Sequence, residues 1–373
     1  MKIRCIRWAP FRIPFVSPYE TAHGRATHRS GVIVVLETET GVMGLGEASL
    51  DPSAPESDAK TLLPPIEAMA RGLVETDVDD IDELLEPYAH GSDAERAAHC
   101  AIETALGDAG AREAGRPLAE LLSEEGAALR RVAVNATIAA RSTEEAAAAA
   151  LLAAAQGYGT VKLKVGMEST LSSEVERVRI IREVIGPEVK LRLDANGAWD
   201  EPVAIATIRN LENYDIELIE QPVPASDIEA LGRVRDAVTT SIAADEAVTD
   251  YESAEEAMKY ADLLVLKPMR LGGLSTAHYL AKVALSAGLG AFVTTTIDTG
   301  IGTAAALHLA ASLPYDGRAH GLATASLLQN DLLTRPLSIS RGYMALPDGP
   351  GLGVELDEAR AAQYLGAWQE VSA

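Results

Sequence analysis

From about Val132 onward the chain repeats one pattern, a short β-rich apolar run followed by a stretch of helix length. The runs are VAVNAT, VKLKV, LRLDAN, LIEQP, IAADE, LLVLKP, AFVTTTID and HGLAT, eight in all. Markers taken from the third to the seventh run, Asp194, Glu220, Asp245, Lys267 and Thr296, are separated by 26, 25, 22 and 29 residues. Each step has room for one strand and one helix. Strands joined by such crossovers pair in parallel. Eight units predict a closed α/β barrel of the TIM type rather than an open sheet.

The chain before this region follows a different rhythm. The first fifty residues alternate like strands, and VIVVLETETGVMGLGEAS places a Thr-Gly turn between two extended runs. LLPPIEAMARGLV, VDDIDELLEPYAH and DAERAAHCAIETALGDAGAREAG then carry apolar residues at helical spacing. The alanine tract from Glu144 to Ala155 has an acidic start and a glycine beyond its end, which predicts an ordinary helix. The expected organisation is an α+β capping domain over 1–125, the barrel over 126–330 and a C-terminal segment over 331–373. The extended piece SISRGYMALPDGPGLGVELD is expected to return to the N-terminal sheet.

Composition removes several functional classes. With 32 basic residues against 55 acidic ones the net charge is −23, which excludes a nucleic-acid partner. No apolar stretch reaches the roughly 18 residues of a membrane span, and MKIRCIRWAPFRIPF has no signal-peptide core, so a cytoplasmic location is expected. Cys5 and Cys100 are too few for a disulfide framework and read as small buried hydrophobes. An acidic, lysine-poor surface also fits a salt-adapted source.

Residues at the C-terminal ends of barrel strands share one cavity. Here those positions hold Lys164, Asp194, Glu220, Asp245 and Lys267, each after buried-type apolar residues. A single acid there is more often a helix N-cap or a rim charge. Three on successive strands, with lysines on the strands before and after, are much harder to explain that way. Three converging carboxylates repel and raise one another's pKa unless a cation lies between them, and a hard dication such as Mg²⁺ suits an all-oxygen set. The chain has only eight lysines, and two of them, Lys162 and Lys164, occupy alternate positions of VKLKV, so both point to the interior. Lys267 lies four strands further round, nearly opposite. Burial beside cationic groups is expected to lower a lysine's pKa and make it a usable base.

VKLKVG, LRLDANGAW, IEQPV, AADEAV and LVLKPMRLGGL resemble the enolase superfamily, and within it the muconate-lactonizing subgroup, over nearly the whole chain. The resemblance implies that Asp194, Glu220 and Asp245 ligate Mg²⁺ with Asn196 in support. It implies that Lys164 is the base and Lys267 the acid/base or cationic stabiliser opposite, while Lys162 lies near the substrate carboxylate. It further implies abstraction of a proton alpha to a carboxylate through an enediolate, the pattern general to such sites. The expected partner is a small-molecule carboxylate substrate, and a homo-oligomer is expected. TTTIDTGIGTAAALHLAAS and AHGLATASLLQNDLL resemble the matching region of o-succinylbenzoate synthases of menaquinone biosynthesis, with Asp298 where glutamate is usual. Dipeptide epimerases tend to show Asp-x-Asp here, and this chain has Asp298-Thr299-Gly300.

Asp298, Gly300 and Ile301 are therefore expected to bind substrate, the helix start offering N–H groups to a carboxylate. GIGTAA also satisfies a dinucleotide-binding pattern, but no acid follows on a later strand, and NAD binding is set aside. The segment from Phe15 to Arg29 takes the place of a specificity loop, in which His23 and Arg25 either contact an anionic substrate or form a polar turn. A dehydrating lyase is the leading expectation. An N-acylamino acid racemase, a dipeptide epimerase or a muconate-type cycloisomerase is the alternative, and a non-catalytic binding barrel is the reading from another class.

Overall fold

The computed structural model describes residues 2–21, 24–52, 58–75, 81–168 and 170–373. β1 (Ile3–Thr21) and β2 (Gly24–Thr38) form a long antiparallel hairpin, and β3 (Met43–Ala48) pairs back onto β2. Alternation along these strands gives the sheet two apolar faces. Ile6, Trp8, Val32, Val34 and Leu36 pack with the helices α1 (Leu63–Glu75), α2 (Ile81–Ala89) and α3 (Asp93–Glu113). Phe11, Ile13, Ile33, Val35 and Leu45 face the other way and join the barrel's core. The capping sheet is thus fastened to the barrel by continuous hydrophobic packing.

Gly44 and Gly46 let β3 press its backbone onto α3. A Cβ at these positions would lie 2.0 Å from Ala105 O and 1.9 Å from Ala101 O. The alternate side chains, Leu45 and Glu47, point towards the barrel. Asp108 of α3 ties this junction to the C-terminal segment, accepting from Leu45 N at 2.9 Å and Leu352 N at 2.7 Å.

The barrel strands are β5 (Ala136–Ile138), β6 (Thr160–Lys164), β7 (Lys190–Asp194), β8 (Ile216–Glu220), β9 (Ile242–Ala244), β10 (Leu263–Leu266) and β11 (Gly290–Val293), paired in sequence order and in parallel. The eighth run closes the ring. His320 N donates to Ala133 O and Asn135 N to His320 O, while Gly321 N donates to Val293 O and Thr295 N to Gly321 O. The first run is split, because its start, β4 (Arg131–Ala133), leaves the barrel to pair with Tyr343–Ala345. That pairing corrects one expectation: the extended piece of the tail joins β4, and the strand that completes the capping sheet is Gln369–Ser372, paired with β1.

Two predictions follow from these contacts. Gly46→Ala forces α3 away from β3 and lowers stability by about 1–3 kcal/mol. Gly110→Ala, a helical site with open space around its Cβ, raises it by roughly 0.5–1 kcal/mol. Urea midpoints of the two variants check both signs.

A separate prediction concerns pH. His308 and His320 are buried and accept the N–H groups of Ala119 and Val293, each at 3.0 Å on Nδ1. Burial pushes both down to about 4, whereas the unfolded chain takes up these protons near 6.5. Between the two values the unfolded state binds more protons, so stability falls as pH drops from about 6.5 to about 4. His308→Asn makes that fall shallower in urea midpoints measured across the window.

Candidate active site

Parallel pairing sets the strand ends in one row. Lys164 lies beside Asp194, and Asp194 beside Glu220. Asp245 and Lys267 follow directly on β9 and β10. Leu163, Leu193 and Ile219 anchor the strands from within the core. The capping alternative for the acids is answered by the helices that follow, whose N-terminal amides are satisfied by Asp200, Asp227 and Asp250 instead.

Asp194, Glu220 and Asp245 are all buried, and each offers an oxygen within 4.8 Å of the others'. Lysines surround them. Lys162 Nζ lies 2.9 Å from Asp194 Oδ2 and also bonds Glu220, and Lys164 Nζ is 3.2 Å from Asp194 Oδ2. On the far wall Lys267 Nζ meets Asp245 Oδ1 at 2.5 Å. Glu220 Oε1 is buried without a hydrogen-bond partner. An orphaned carboxylate oxygen within an all-carboxylate set fits a hard dication, and Mg²⁺ is the cofactor it suits.

Burial, the largest single influence on the lysine pKa values, acts downward on Lys162, Lys164 and Lys267, but the facing carboxylates outweigh it and all three are raised. The carboxylates that face the lysines are the ones that would hold Mg²⁺, and a dication there would cancel their pull on the ammonium groups and favour the expected lowering. Burial likewise acts upward on Asp194, and Lys162 and Lys164 together overcome it, holding that acid well below the usual range. Charges on three separate strands sum here in a way that no single motif reveals.

Supporting groups fix these side chains. Asn196 Oδ1 accepts from Lys164 Nζ at 2.6 Å, while its Nδ2 donates to Glu246 Oε1 at 2.7 Å. Gln221 Oε1 accepts the backbone N–H groups of Asp245 and Ala247. Burial, reinforced by Asp245 and Asp194, pushes Glu246 up to about 7. Asn196, Gln221 and Ile297 hold positive φ values of 45°, 40° and 64°, strain that gathers where a site over-determines its backbone.

The cavity above the acids has a volume of about 190 Å³. Lys162, Lys164, Asn196 and Lys267 line it with the acid cluster, together with Tyr19 and Asp51 from the capping side. Asn135, Thr137, Thr294, Thr295, Ile297, Ala323 and Thr324 are among its neutral residues. Asp298, Gly300 and Ile301 are not among the lining residues, which corrects their assignment to substrate. Asp298 is buried against Arg29 and Thr296, and burial with the nearby Glu47 charge pushes it up to about 7. Gly300 N donates to Asp331 O, and Ile301 is packed in the core. The helix start at Gly300–Ser312 already holds a carboxylate, that of Glu47. His23 lies outside the described residues, and Arg25 is exposed and does not line the cavity.

Sequence reasoning passed over Glu246, Tyr19, the threonines of the seventh and eighth runs, and Glu47. Glu246 carried a signal, the adjacency Asp245-Glu246 at a strand end. Glu47 carried none, since its partners lie 252 and 255 residues away.

Family comparisons agree with this architecture. Residues 6–123 match the model of the mandelate racemase/muconate lactonizing enzyme N-terminal domain, and 144–360 match the enolase C-terminal domain-like model. The chain is 32% identical over 367 residues to the L-Ala-D/L-Glu epimerase of Bacillus subtilis (strain 168), covering 95% of this chain and 97% of that protein. Muconate lactonizing enzyme from Pseudomonas fluorescens, complexed with muconolactone, superposes with a TM-score of 0.90 at 27% identity, covering 98% of this chain and 99% of that one. The dipeptide epimerase from Enterococcus faecalis V583, complexed with Mg and the dipeptide L-Leu-L-Tyr, gives 0.87 at 30% identity, covering 95% and 100%. The chain belongs to the muconate-lactonizing group of the enolase superfamily, an enzyme family.

Proposed function

We propose that the protein removes the proton alpha to a carboxylate of a small-molecule substrate, with Asp194, Glu220 and Asp245 holding Mg²⁺. The observation that supports this reading most is the buried triad of acids, faced by lysines from two opposite walls. When bound, Mg²⁺ supplies Lewis-acid stabilisation of the negative charge that moves onto the substrate carboxylate. Lys164, oriented by Asn196, takes the alpha proton. Lys162 keeps a positive charge beside it and beside the substrate carboxylate. Lys267 faces the same carbon from across the barrel and stabilises developing charge or exchanges a proton there.

The finer reading is dehydration to o-succinylbenzoate. It draws support from the TTTIDTGIG and HGLAT segments and from an eighth run with no acid, where Gly321, Ala323 and Thr324 leave the wall uncharged. Such a wall gives a free substrate ammonium no partner of its own. A second reading, racemisation of N-acylamino acids or epimerisation of dipeptides, is favoured by Lys267, a second lysine poised on the opposite face.

Calorimetric titration with Mg²⁺ tests the ligand set. Asp194→Asn and Glu220→Gln weaken binding by about tenfold or more, and an untouched wild type with no millimolar affinity would instead favour a binding barrel. Turnover is read with Mg²⁺ in D₂O on a panel of the o-succinylbenzoate precursor, N-succinylamino acids and dipeptides. Lys164→Arg lowers the rate by about 10²–10⁴-fold. Conversion of the precursor alone, without deuterium entering through Lys267, carries the dehydration reading. Deuterium exchange on both faces of an amino acid substrate would transfer the assignment to racemisation.

A further inference from the structure

Glu47 belongs to the capping sheet, yet its carboxylate sits on the barrel's seventh strand–helix junction. Its two oxygens accept from Thr299 N at 3.0 and 3.1 Å, and Oε2 also accepts from Thr299 Oγ1 at 2.5 Å and Gly302 N at 2.9 Å. Ser49 Oγ donates to Oε1 at 3.0 Å. Glycine at position 302 makes room for this approach, since a Cβ there would lie 3.0 Å from Glu47 Oε2 and 2.7 Å from Asp298 Cβ. Arg29, fully buried on β2, donates to Leu50 O and to Thr296 Oγ1, and lies 3.6 Å from Asp298 Oδ1. Asp298 in turn accepts from Thr296 N and Oγ1.

Residues 296, 298, 299 and 302 are therefore gripped by two side chains of the other domain. Between them stands Ile297, whose φ of 64° is a conformation that a β-branched residue rarely adopts. Strain of this kind costs about 1–3 kcal/mol and persists only where the surroundings impose it. The side chain it presents lines the cavity.

We propose that Glu47 and Arg29 are positioning residues that hold the 296–299 junction in its strained shape, so that the pocket wall at Ile297 depends on the docked capping sheet. The kinetic part rests on the reading of the cavity as the active site, while the mechanical part stands on the contacts alone.

Hydrogen–deuterium exchange on the full chain reads the mechanical part directly. Glu47→Gln keeps the volume but turns one acceptor into a donor facing Thr299. Its expected signature is about tenfold faster exchange over 295–303, with 160–166 and 190–196 unchanged and Mg²⁺ affinity retained. Thr299→Val, which removes one link from the barrel side, gives the same local pattern in smaller degree and stands in if Glu47→Gln does not fold. Thr299→Ser, which keeps the hydroxyl, behaves as wild type. With whichever panel member the wild type converts, Glu47→Gln raises KM while kcat changes little. Unaltered exchange over 295–303, or an increase spread evenly through the barrel, would overturn the proposal. A wild type that converts nothing would count against the assigned activity and leave the exchange result to decide this one.

Discussion

Everything at the centre of this molecule is arranged around the mutual repulsion of three buried carboxylates. Their ligand oxygens all lie within 4.8 Å of one another, and at that upper limit two like charges in an effective dielectric of about 20 repel by roughly 3 kcal/mol, before the cost of burial is counted. Three such pairs would consume much of a domain's net stability. Compensation has to come from strands on both sides, and it does. Lys162 and Lys164 approach from β6, Lys267 from β10, and one oxygen of Glu220 is still left without a partner. The barrel makes this possible because parallel strands deliver one side chain each to a common rim, while the apolar residue beneath each one secures it.

That arrangement explains where the backbone is strained. Asn196 and Gln221 turn into positive φ just beyond Asp194 and Glu220, and both side chains are then spent on fixing the rim. Asn196 joins Lys164 to Glu246, and Gln221 clamps the backbone of Asp245 and Ala247. The turns that leave each strand are thus built for orienting the acids, and the helices that follow take their caps from other residues.

The regular alternation of strand and helix made the barrel legible, because a period of one βα unit leaves few alternatives. The rim residues were legible for a related reason: a charged residue directly after a buried apolar run has only the strand end to occupy. What escaped were contacts made by tertiary closure. Gly300-Ile301-Gly302 has the composition of an open anion site, and nothing local shows that Glu47 fills it from 252 residues away. Asp298 looks from its neighbours like a pocket acid, yet Arg29 draws it beneath the wall. The piece SISRGYMALPDGPGLGVELD was misplaced since it and Gln369–Ser372 are equally strand-like, and only pairing with β4 or β1 tells them apart.

These two kinds of residue divide the labour of the site. The acids and lysines come from β6 to β10 and its end, one half of the ring. The remainder of the cavity comes from the first, seventh and eighth runs and from Tyr19 and Asp51 of the capping side. Substitutions among the neutral residues there change the cavity wall without disturbing the charge balance at the rim. In this chain that half is mostly neutral, with threonines, Asn135, Ile297 and Ala323 around the opening. The capping sheet is pinned to the same half through Glu47 and Arg29, so the cavity wall at Ile297 adjoins the surface that docks the domain.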